Sequence, residues 1–261
     1  MPSEDFTKRT AQEQIAALPP LVIPEGDTLG PVMVQKLSMT QFYGGSYLAR
    51  NSTMIPHVTH HDEADITDLE VYRKGLEATE AGTKIGLPVL LAKAVTEALK
   101  AYPRFNASLS SDGKSIILRH YYNIGMAVDT PSGLLVPVLR DVDKRSLANI
   151  ADELGALTKQ ARGKGLPVEQ MSGGTFTISS IGGLGGTGFT PIINAPEVAI
   201  LGVAKAAWKP TRGADDRIDW RLMVPLSLSY DHRVINGADA ARFMTSLAEI
   251  LSRPEELGRC A

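Results

Sequence analysis

Apolar and polar side chains alternate most clearly in LSLSYDH, at positions 226–232. Leucine or tyrosine occupies every second position, and serine or aspartate lies between, which predicts a strand with one buried and one exposed face. Other runs rich in apolar and β-branched residues also predict strands. They are YNIGMAVDT (122–130), GLLVPVLRDV (133–142), TFTISS (175–180), EVAILGVAKA (197–206) and WRLMVPLSLSYDH (220–232).

Four segments have the apolar spacing of amphipathic or buried helices. They cover residues 65–78, 87–103, 146–162 and 237–252. Pro103 is expected to end the second helix, and Ser146 is placed to cap the third. The mixture and order of helices and strands predict an α/β fold, a mixed-sheet sandwich built on one large sheet.

The first 31 residues have the composition of a linker arm. The run LPPLVIPEGDTLGP (18–31) contains four prolines and two glycines, which favours an extended segment over a packed element. We therefore expect a linker arm over 1–31 and a single folded domain over 32–261.

Composition narrows the possible partners. The chain has 261 residues, 43% of them hydrophobic, which is enough for a large core. Its formal net charge of -2 gives no basic surface that would attract nucleic acid or an anionic membrane. No apolar run reaches the roughly 18 residues needed to span a bilayer. Cys260 is the only cysteine, which argues against a disulfide or a cysteine-rich metal site. We expect a reduced, intracellular compartment.

His232 directly follows the alternating strand, and Asn236 and Gly237 come just after it. A side chain at a strand end can reach a cleft, and imidazole is the group best suited to moving protons near neutral pH. Structural hydrogen bonding is the alternative for any histidine, and it is our interpretation of the other four. These are His57, His60, His61 and His120. The adjacent pair at 60–61 would point to opposite faces of a strand, which makes it a poor metal site.

Ser179 and Ser180 end a predicted strand before a glycine-rich turn. A hydroxyl there can stabilise a developing oxyanion, act as a nucleophile, or satisfy backbone groups of the turn. The hydrolase elbow G-x-S-x-G is absent around both serines. The glycines at 183, 185 and 188 formally match G-x-G-x-x-G, but two prolines follow and prevent the helix that a dinucleotide-binding fold requires.

The segment DHRVINGADAARF (231–243) resembles the H-x-x-x-D/N-G signature that dihydrolipoamide acyltransferases of 2-oxo acid dehydrogenase complexes share with chloramphenicol acetyltransferases. Four further blocks agree in family order: IPHVTHHDEADITDLE, YPRFNASL, AVDTPSGLLVPVLRDVDKRSLANIADEL and GGTFTISSIGGLGGTGFTPIINAPEVAILGV. The similarity extends from about Val32 to about Ser252. It implies a chloramphenicol-acetyltransferase-like sandwich with flanking helices, assembled as a trimer with active sites between subunits.

The resemblance also implies roles for individual residues. His232 would be the general base, Ser179 the oxyanion donor and Asn236 an orienting amide. Phe189 would contact coenzyme A, and Arg50 would pair with Asn236. The reaction would move an acyl group between dihydrolipoamide and coenzyme A, and the likeness of TISS and NAPEVAILGV to the pyruvate-complex type implies acetyl.

Coenzyme A is then a co-substrate, the lipoyl group arrives on a separate domain, and no metal is involved. The implied partners are two further copies in a homotrimer, a lipoyl domain supplied in trans or by a missing N-terminal part, and the E1 and E3 components of the complex. The compartment would be the bacterial cytoplasm or the mitochondrial matrix. The ending RPEELGRCA lacks the apolar tail of larger assemblies, so we expect an isolated trimer.

Two other functions stay open on the residues alone. A chloramphenicol-acetyltransferase-like enzyme would acetylate a small hydroxyl acceptor, and the four blocks outside the histidine motif argue against it. A scaffold subunit without catalysis would have no need of His232 or Ser179, and this chain has both.

Overall fold

The computed structural model describes residues 30–79, 84–213 and 216–257, and the chain forms two compact units that divide between Ser38 and Met39. In the first unit, residues 30–38 contain no helix or strand. The division falls a few residues after the predicted end of the linker arm, of which residues 1–29 lie outside the described residues.

The second unit contains helices and strands in mixed order. Its helices are α1 (Met39–Met54), α2 (Thr67–Thr79), α3 (Leu87–Ala101), α4 (Leu147–Gly163), α5 (Val168–Met171), α6 (Gly237–Leu251) and α7 (Pro254–Leu257). Its strands are β1 (His57–Asp65), β2 (Ala107–Leu109), β3 (Ile116–Leu118), β4 (Ile124–Met126), β5 (Val128–Thr130), β6 (Gly133–Leu135), β7 (Val138–Leu139), β8 (Phe176–Ser180), β9 (Ala199–Val203), β10 (Ala207–Arg212) and β11 (Ile218–Asp231).

One seven-stranded sheet organises this unit. Its order is β1-β11-β9-β8-β4-β7, and β10 also pairs with β11. Strand β8 runs parallel to both of its neighbours, β4 and β9, whereas the remaining pairs are antiparallel. The predicted mixed sheet is confirmed, and its short parallel strands β4 and β8 bring residues about 50 positions apart in the chain side by side.

Two predicted helix boundaries have clear local causes. Helix α3 ends at Ala101, and a 3₁₀ turn over Pro103–Phe105 follows, because proline cannot continue the hydrogen-bond pattern. Helix α4 begins after Ser146, whose side-chain oxygen accepts the N–H of Asn149 at 3.3 Å. The predicted cap is confirmed.

The main core lies between one face of the sheet and helices α3 and α6. Three phenylalanines from separate elements meet there. The rings of Phe105 and Phe243 stack at 4.3 Å between centroids, and Phe176 of β8 lies 6.1 Å from Phe243. Such rings bury large apolar areas, so this cluster fixes α6, and with it the segment that follows β11, against the sheet.

The opposite face of β11 is also buried over residues 226–231, which makes the prediction of a half-exposed strand wrong for this stretch. Ser227 and Ser229 are 1% and 0% exposed. Each hydroxyl has a partner on β1, since Ser229 pairs with Thr59 at 2.8 Å and Ser227 with His61 at 2.9 Å. Serine can therefore occupy a covered face without losing its hydrogen bonds.

Candidate active site

Strand β11 carries His232 to the end of the sheet. The backbone N–H of His232 donates to the carbonyl oxygen of Pro56 at 3.1 Å, while the side chain remains exposed. Its imidazole ring lies 6.0 Å from the Tyr230 ring. A fixed backbone with an accessible ring is what a proton-transfer group requires.

An ion pair holds the same turn. The carboxylate of Asp231, 2% exposed, accepts the backbone N–H of Arg233 at 3.0 Å and a guanidinium N–H at 2.6 Å. The hydrogen bond that the Arg233 guanidinium donates to Asp231 raises the pKa of Arg233. Separating these charges would leave a buried carboxylate without an opposite charge, which disfavours movement of the backbone that carries His232.

Asn236 caps α6. Its Oδ1 accepts the backbone N–H of Asp239 at 2.9 Å, which satisfies one of the free donors at the helix start. Within one chain, the side-chain amide of Asn236 therefore stabilises the start of the helix that follows His232. An asparagine directly before a helical run is an N-cap signal that sequence reasoning could have used and did not.

The two serines of β8 lie on opposite faces. Ser180 shares its face with Phe176 and Ile178, which belong to the main core, but it is itself exposed at the strand end. Ser179 is half-buried on the other face. Strand alternation therefore gives the two hydroxyls different surroundings, and only one of them can serve a given site.

Ser179 and His232 are far apart within one chain. Ser179 is directly opposite Gly202, which is directly opposite Ser227 of β11. His232 lies five residues beyond Ser227, a distance of about 16 Å along a strand, and two strand spacings add about 10 Å across the sheet. The two Cα atoms are thus about 19 Å apart, and the chain alone does not bring the two side chains together.

The ring of Phe189 lies over Gly202, next to Ser179 on this face. A Cβ atom at Gly202 would come within 2.8 Å of the ring, so the glycine leaves the space that the ring fills. Phe189 is half-buried. Its ring is positioned to form a wall beside the Ser179 hydroxyl.

Arg50 is exposed on α1, and its guanidinium lies over the ring of Tyr47, 5.7 Å from the centroid. The next residue, Asn51, is buried and donates to the carbonyl oxygen of Ile193 at 3.0 Å. Among the described residues no hydrogen bond joins Arg50 to Asn236, so their pairing stays a prediction.

A buried carboxyl group that sequence reasoning missed lies beside Thr177, two residues before Ser179 on β8. Glu197 is 4% exposed, and Asn194 donates to its Oε1 at 3.3 Å and to Thr177 Oγ1 at 3.4 Å. Burial raises the pKa of Glu197 to about 8. The carboxyl is therefore mostly protonated at neutral pH. An acidic residue opening the apolar run EVAILGV was the only sequence signal for it.

A groove of about 520 Å³ runs between the start of α3 and one face of α4. Its lining includes apolar side chains and three cations, Lys84, Lys159 and Arg162. Arg162 donates to the carbonyl oxygen of Asp129 on β5 at 3.4 Å, and two residues earlier the N–H of Ala127 donates to the carbonyl oxygen of Ile178 on β8 at 2.9 Å. One end of this positive groove therefore lies near the end of β8.

Other chemistry considered from the sequence has no structural counterpart in the described ranges. The glycines at 183, 185 and 188 lie in a segment of turn and irregular backbone, and no helix begins among them. No group of three or more His, Cys, Asp or Glu side chains in the described part of the chain could hold a metal ion. The helices in that part are all too short or too polar to cross a membrane.

The sheet order and the flanking helices define a chloramphenicol-acetyltransferase-like fold, as predicted. A solved chloramphenicol acetyltransferase matches with a TM-score of 0.53 at 14% identity, over 78% of this chain and 94% of that one. The chain belongs to the family of 2-oxoacid dehydrogenases acyltransferase catalytic domains, whose family model matches residues 33–259. The predicted family is confirmed.

Among its relatives, the acetyltransferase component of the pyruvate dehydrogenase complex of Cupriavidus necator is 52% identical over 225 residues, which are 85% of this chain and 40% of the relative. That of Pseudomonas aeruginosa is 50% identical over 241 residues, 91% of this chain and 44% of the relative. The chain thus spans about two fifths of the length of these relatives.

Two solved structures are similar over 92% of this chain and 99% of theirs, each with a TM-score of 0.88. One, 45% identical, comes from a study of a serine, a histidine and an asparagine in the catalytic mechanism of the dihydrolipoamide acetyltransferase of Azotobacter vinelandii. The other, 46% identical, is the cubic core of the pyruvate dehydrogenase multienzyme complex.

Proposed function

We propose that this domain transfers an acetyl group between a dihydrolipoyl group, carried by a separate domain, and coenzyme A. The observation that carries the proposal is the exposed imidazole of His232, fixed at the end of β11 and followed by Asn236 four residues later. The histidine and the asparagine named for the Azotobacter vinelandii enzyme are also four residues apart.

His232 would act first as a base and then as an acid. A thiol with a pKa of about 8.5 is mostly protonated at neutral pH, so it attacks poorly without a base. The imidazole takes the proton of the coenzyme A thiol as sulfur attacks the thioester carbon of acetyl-dihydrolipoamide. When the carbon–sulfur bond to the lipoyl arm breaks, the imidazolium returns the proton to the departing sulfur.

Ser179 would donate a hydrogen bond to the oxyanion of the tetrahedral intermediate. Its half-buried position beside the Phe189 ring supports this choice over the exposed Ser180. In the Azotobacter vinelandii enzyme the named serine and histidine are 52 positions apart, whereas Ser179 and Ser180 precede His232 by 53 and 52. The 52-residue spacing matches Ser180, so the choice of Ser179 rests on its half-buried position beside the Phe189 ring.

A complete site then needs two subunits. Because Ser179 and His232 of one chain are about 19 Å apart by strand geometry, the histidine of one subunit must meet the serine of another. A homotrimer supplies three equivalent sites through closed symmetry. Arg50 and Asn236 could meet across the same interface.

The groove between α3 and α4 is our candidate for the nucleotide end of coenzyme A. That end carries phosphates, and Lys84, Lys159 and Arg162 offer positive charge around an apolar floor. The groove approaches the end of β8 through Asp129. The pantetheine arm of a bound coenzyme A would then extend from the groove toward Ser179 and contact Phe189.

The remaining partners follow from the relatives, which are components of pyruvate dehydrogenase complexes from bacteria. We propose a lipoyl domain in trans or from a preceding part of the protein, together with the E1 and E3 components. We place the reaction in the bacterial cytoplasm.

The test is to supply the purified protein with acetyl-coenzyme A and either dihydrolipoamide or small hydroxyl acceptors, and to separate the products by liquid chromatography. We expect free coenzyme A and S-acetyl-dihydrolipoamide in equal amounts. Preferred transfer to a hydroxyl acceptor would favour the chloramphenicol-acetyltransferase-like alternative. A folded, assembled protein that transfers to neither acceptor would be a scaffold.

A further inference from the structure

A histidine–serine pair holds the loop that carries Phe189. His61 on the edge strand β1 places its Nδ1 2.9 Å from Ser227 Oγ on β11. The same oxygen accepts the backbone N–H of Phe189 in a long hydrogen bond of 3.5 Å. A single buried hydroxyl therefore joins an imidazole at the sheet edge to the end of the glycine-rich loop.

The hydrogen-bonding capacity of the hydroxyl fits both contacts. A serine oxygen can accept two hydrogen bonds and donate one. The N–H of Phe189 can only donate, so the Ser227 oxygen accepts from it. The Ser227 hydroxyl then donates to Nδ1 of His61, or accepts from it when Nδ1 carries the hydrogen. Gly188 lies against this contact, since a Cβ there would be 3.6 Å from both His61 Nδ1 and Ser227 Oγ.

Ser229, on the same face of β11, shows that a buried serine hydroxyl does not need a histidine as its hydrogen-bond partner. Ser229, two residues along β11, is satisfied by the hydroxyl of Thr59 at 2.8 Å. Ser227 has the same burial but pairs with a larger, exposed imidazole at the point where the loop crosses the sheet. The difference between the two serines is the contact with the Phe189 backbone.

The held ring lies next to the serine proposed for catalysis. Ser179, Gly202 and Ser227 are side by side across β8, β9 and β11, and the Phe189 ring covers the glycine between the two serines. A shift of the loop would therefore move the ring relative to the Ser179 hydroxyl.

We propose that the His61–Ser227 pair positions Phe189 as a wall of the coenzyme A site, so that His61 controls binding of coenzyme A more than the chemical step. His61 is a positioning residue, because it acts through Ser227 and the loop. This inference rests on the proposed acyl transfer and on Phe189 as a contact of coenzyme A.

The test combines kinetics with hydrogen exchange on the assembled protein. We expect His61→Ala to raise the KM for coenzyme A about two- to tenfold, the effect of one lost hydrogen bond, with less than a twofold change in kcat and in the KM for dihydrolipoamide. Amide exchange in the peptide over 183–192 should become faster. His61→Asn keeps a polar atom near the position of Nδ1 and should restore both measurements.

His60→Gln is the matched control, because it removes the adjacent imidazole on the opposite face of β1 and leaves Ser227 untouched. Unchanged exchange of the loop in His61→Ala would overturn the positioning role whether or not the wild type transfers acetyl groups. Faster exchange with an unchanged KM for coenzyme A would overturn the role in binding. A wild type without acyl transfer would instead overturn the proposed function, and with it any role of the pair in coenzyme A binding.

Discussion

The side-chain oxygen of Asn236 accepts the backbone N–H of Asp239 at 2.9 Å, and this bond starts α6 four residues after His232. The residue that the family motif assigns to the site is thus also a helix cap. A substitution of Asn236 that removes the cap can lower the stability and the activity together, so the two effects need separate measurements.

We predict that Asn236→Ala lowers the free energy of unfolding by about 1 kcal/mol, within the usual range for a lost cap, whereas Asn236→Asp keeps the cap and the stability. Urea unfolding of both variants and the wild type measures this. Equal stability of all three proteins would mean that the cap contributes nothing, and any loss of turnover would then be purely chemical.

We predict that His232→Ala loses about 10²–10⁴-fold of acyl transfer, the usual cost of removing a general base, with little change in stability because the side chain is exposed. Steady-state turnover and thermal unfolding check both parts. His120→Ala, another exposed histidine, serves as the control and should retain full activity. Near-wild-type turnover in a folded His232→Ala protein would disprove the mechanism.

We predict that Ser179→Ala lowers kcat about 100- to 1000-fold and that Ser180→Ala does not, because the two hydroxyls lie on opposite faces of β8 and only one can face the oxyanion. Comparing kcat of the two variants decides between them. A larger loss in Ser180→Ala would transfer the oxyanion role to the exposed serine, in agreement with the 52-residue spacing of the Azotobacter vinelandii enzyme.

We predict that Glu197 makes the protein less stable as pH rises from about 4.5 to about 8. The folded carboxyl has a pKa of about 8, against an ordinary value of 4.5, so the folded state binds more protons than the unfolded state throughout that window. Its stabilising contribution is complete below about pH 4.5 and is lost as pH rises through about 8, with a slope of at most about 1.4 kcal/mol per pH unit. Well above pH 8 this group adds no further dependence.

Glu197→Gln is the matching variant, since its amide imitates the protonated acid but does not titrate. Urea unfolding of both proteins between pH 5 and pH 9 should show the wild type losing stability relative to the variant as pH rises. Parallel curves across that range would show that Glu197 does not titrate in the window and that the burial argument is wrong.

We predict an isolated trimer of about 84 kDa, three times the 28.0 kDa chain. Leu257 is the large aliphatic residue of the C-terminal run RPEELGRCA. It is 2% exposed and packs into the core of its own chain, so its side chain is not available for a contact between trimers. Cys260, also in that run, lies outside the described residues. Light scattering measures the mass. The mass of eight trimers, as at the corners of a cube, would show that another surface makes the contact between trimers.

Most regular elements could be predicted because their causes are local. The Ser146 cap depends on a bond to Asn149 three residues away, and Pro103 ends α3 by its own covalent geometry. Helix α1 was not predicted, since MTQFYGGSYLARNSTM contains two glycines and no clear apolar stripe. Its buried Asn51 bonds to Ile193, 142 positions along the chain, a contact that no local pattern reveals.

The sequence by itself determined most of the elements, the family and the position of His232 at a strand end, because periodicity, caps and motifs act over a few residues. Only the tertiary structure decided that both faces of β11 are buried over residues 226–231, that Ser179 and His232 of one chain lie about 19 Å apart, and that Glu197 has a raised pKa. These properties depend on strand register and desolvation, which arise between residues far apart in the chain, so they follow from packing and not from local sequence.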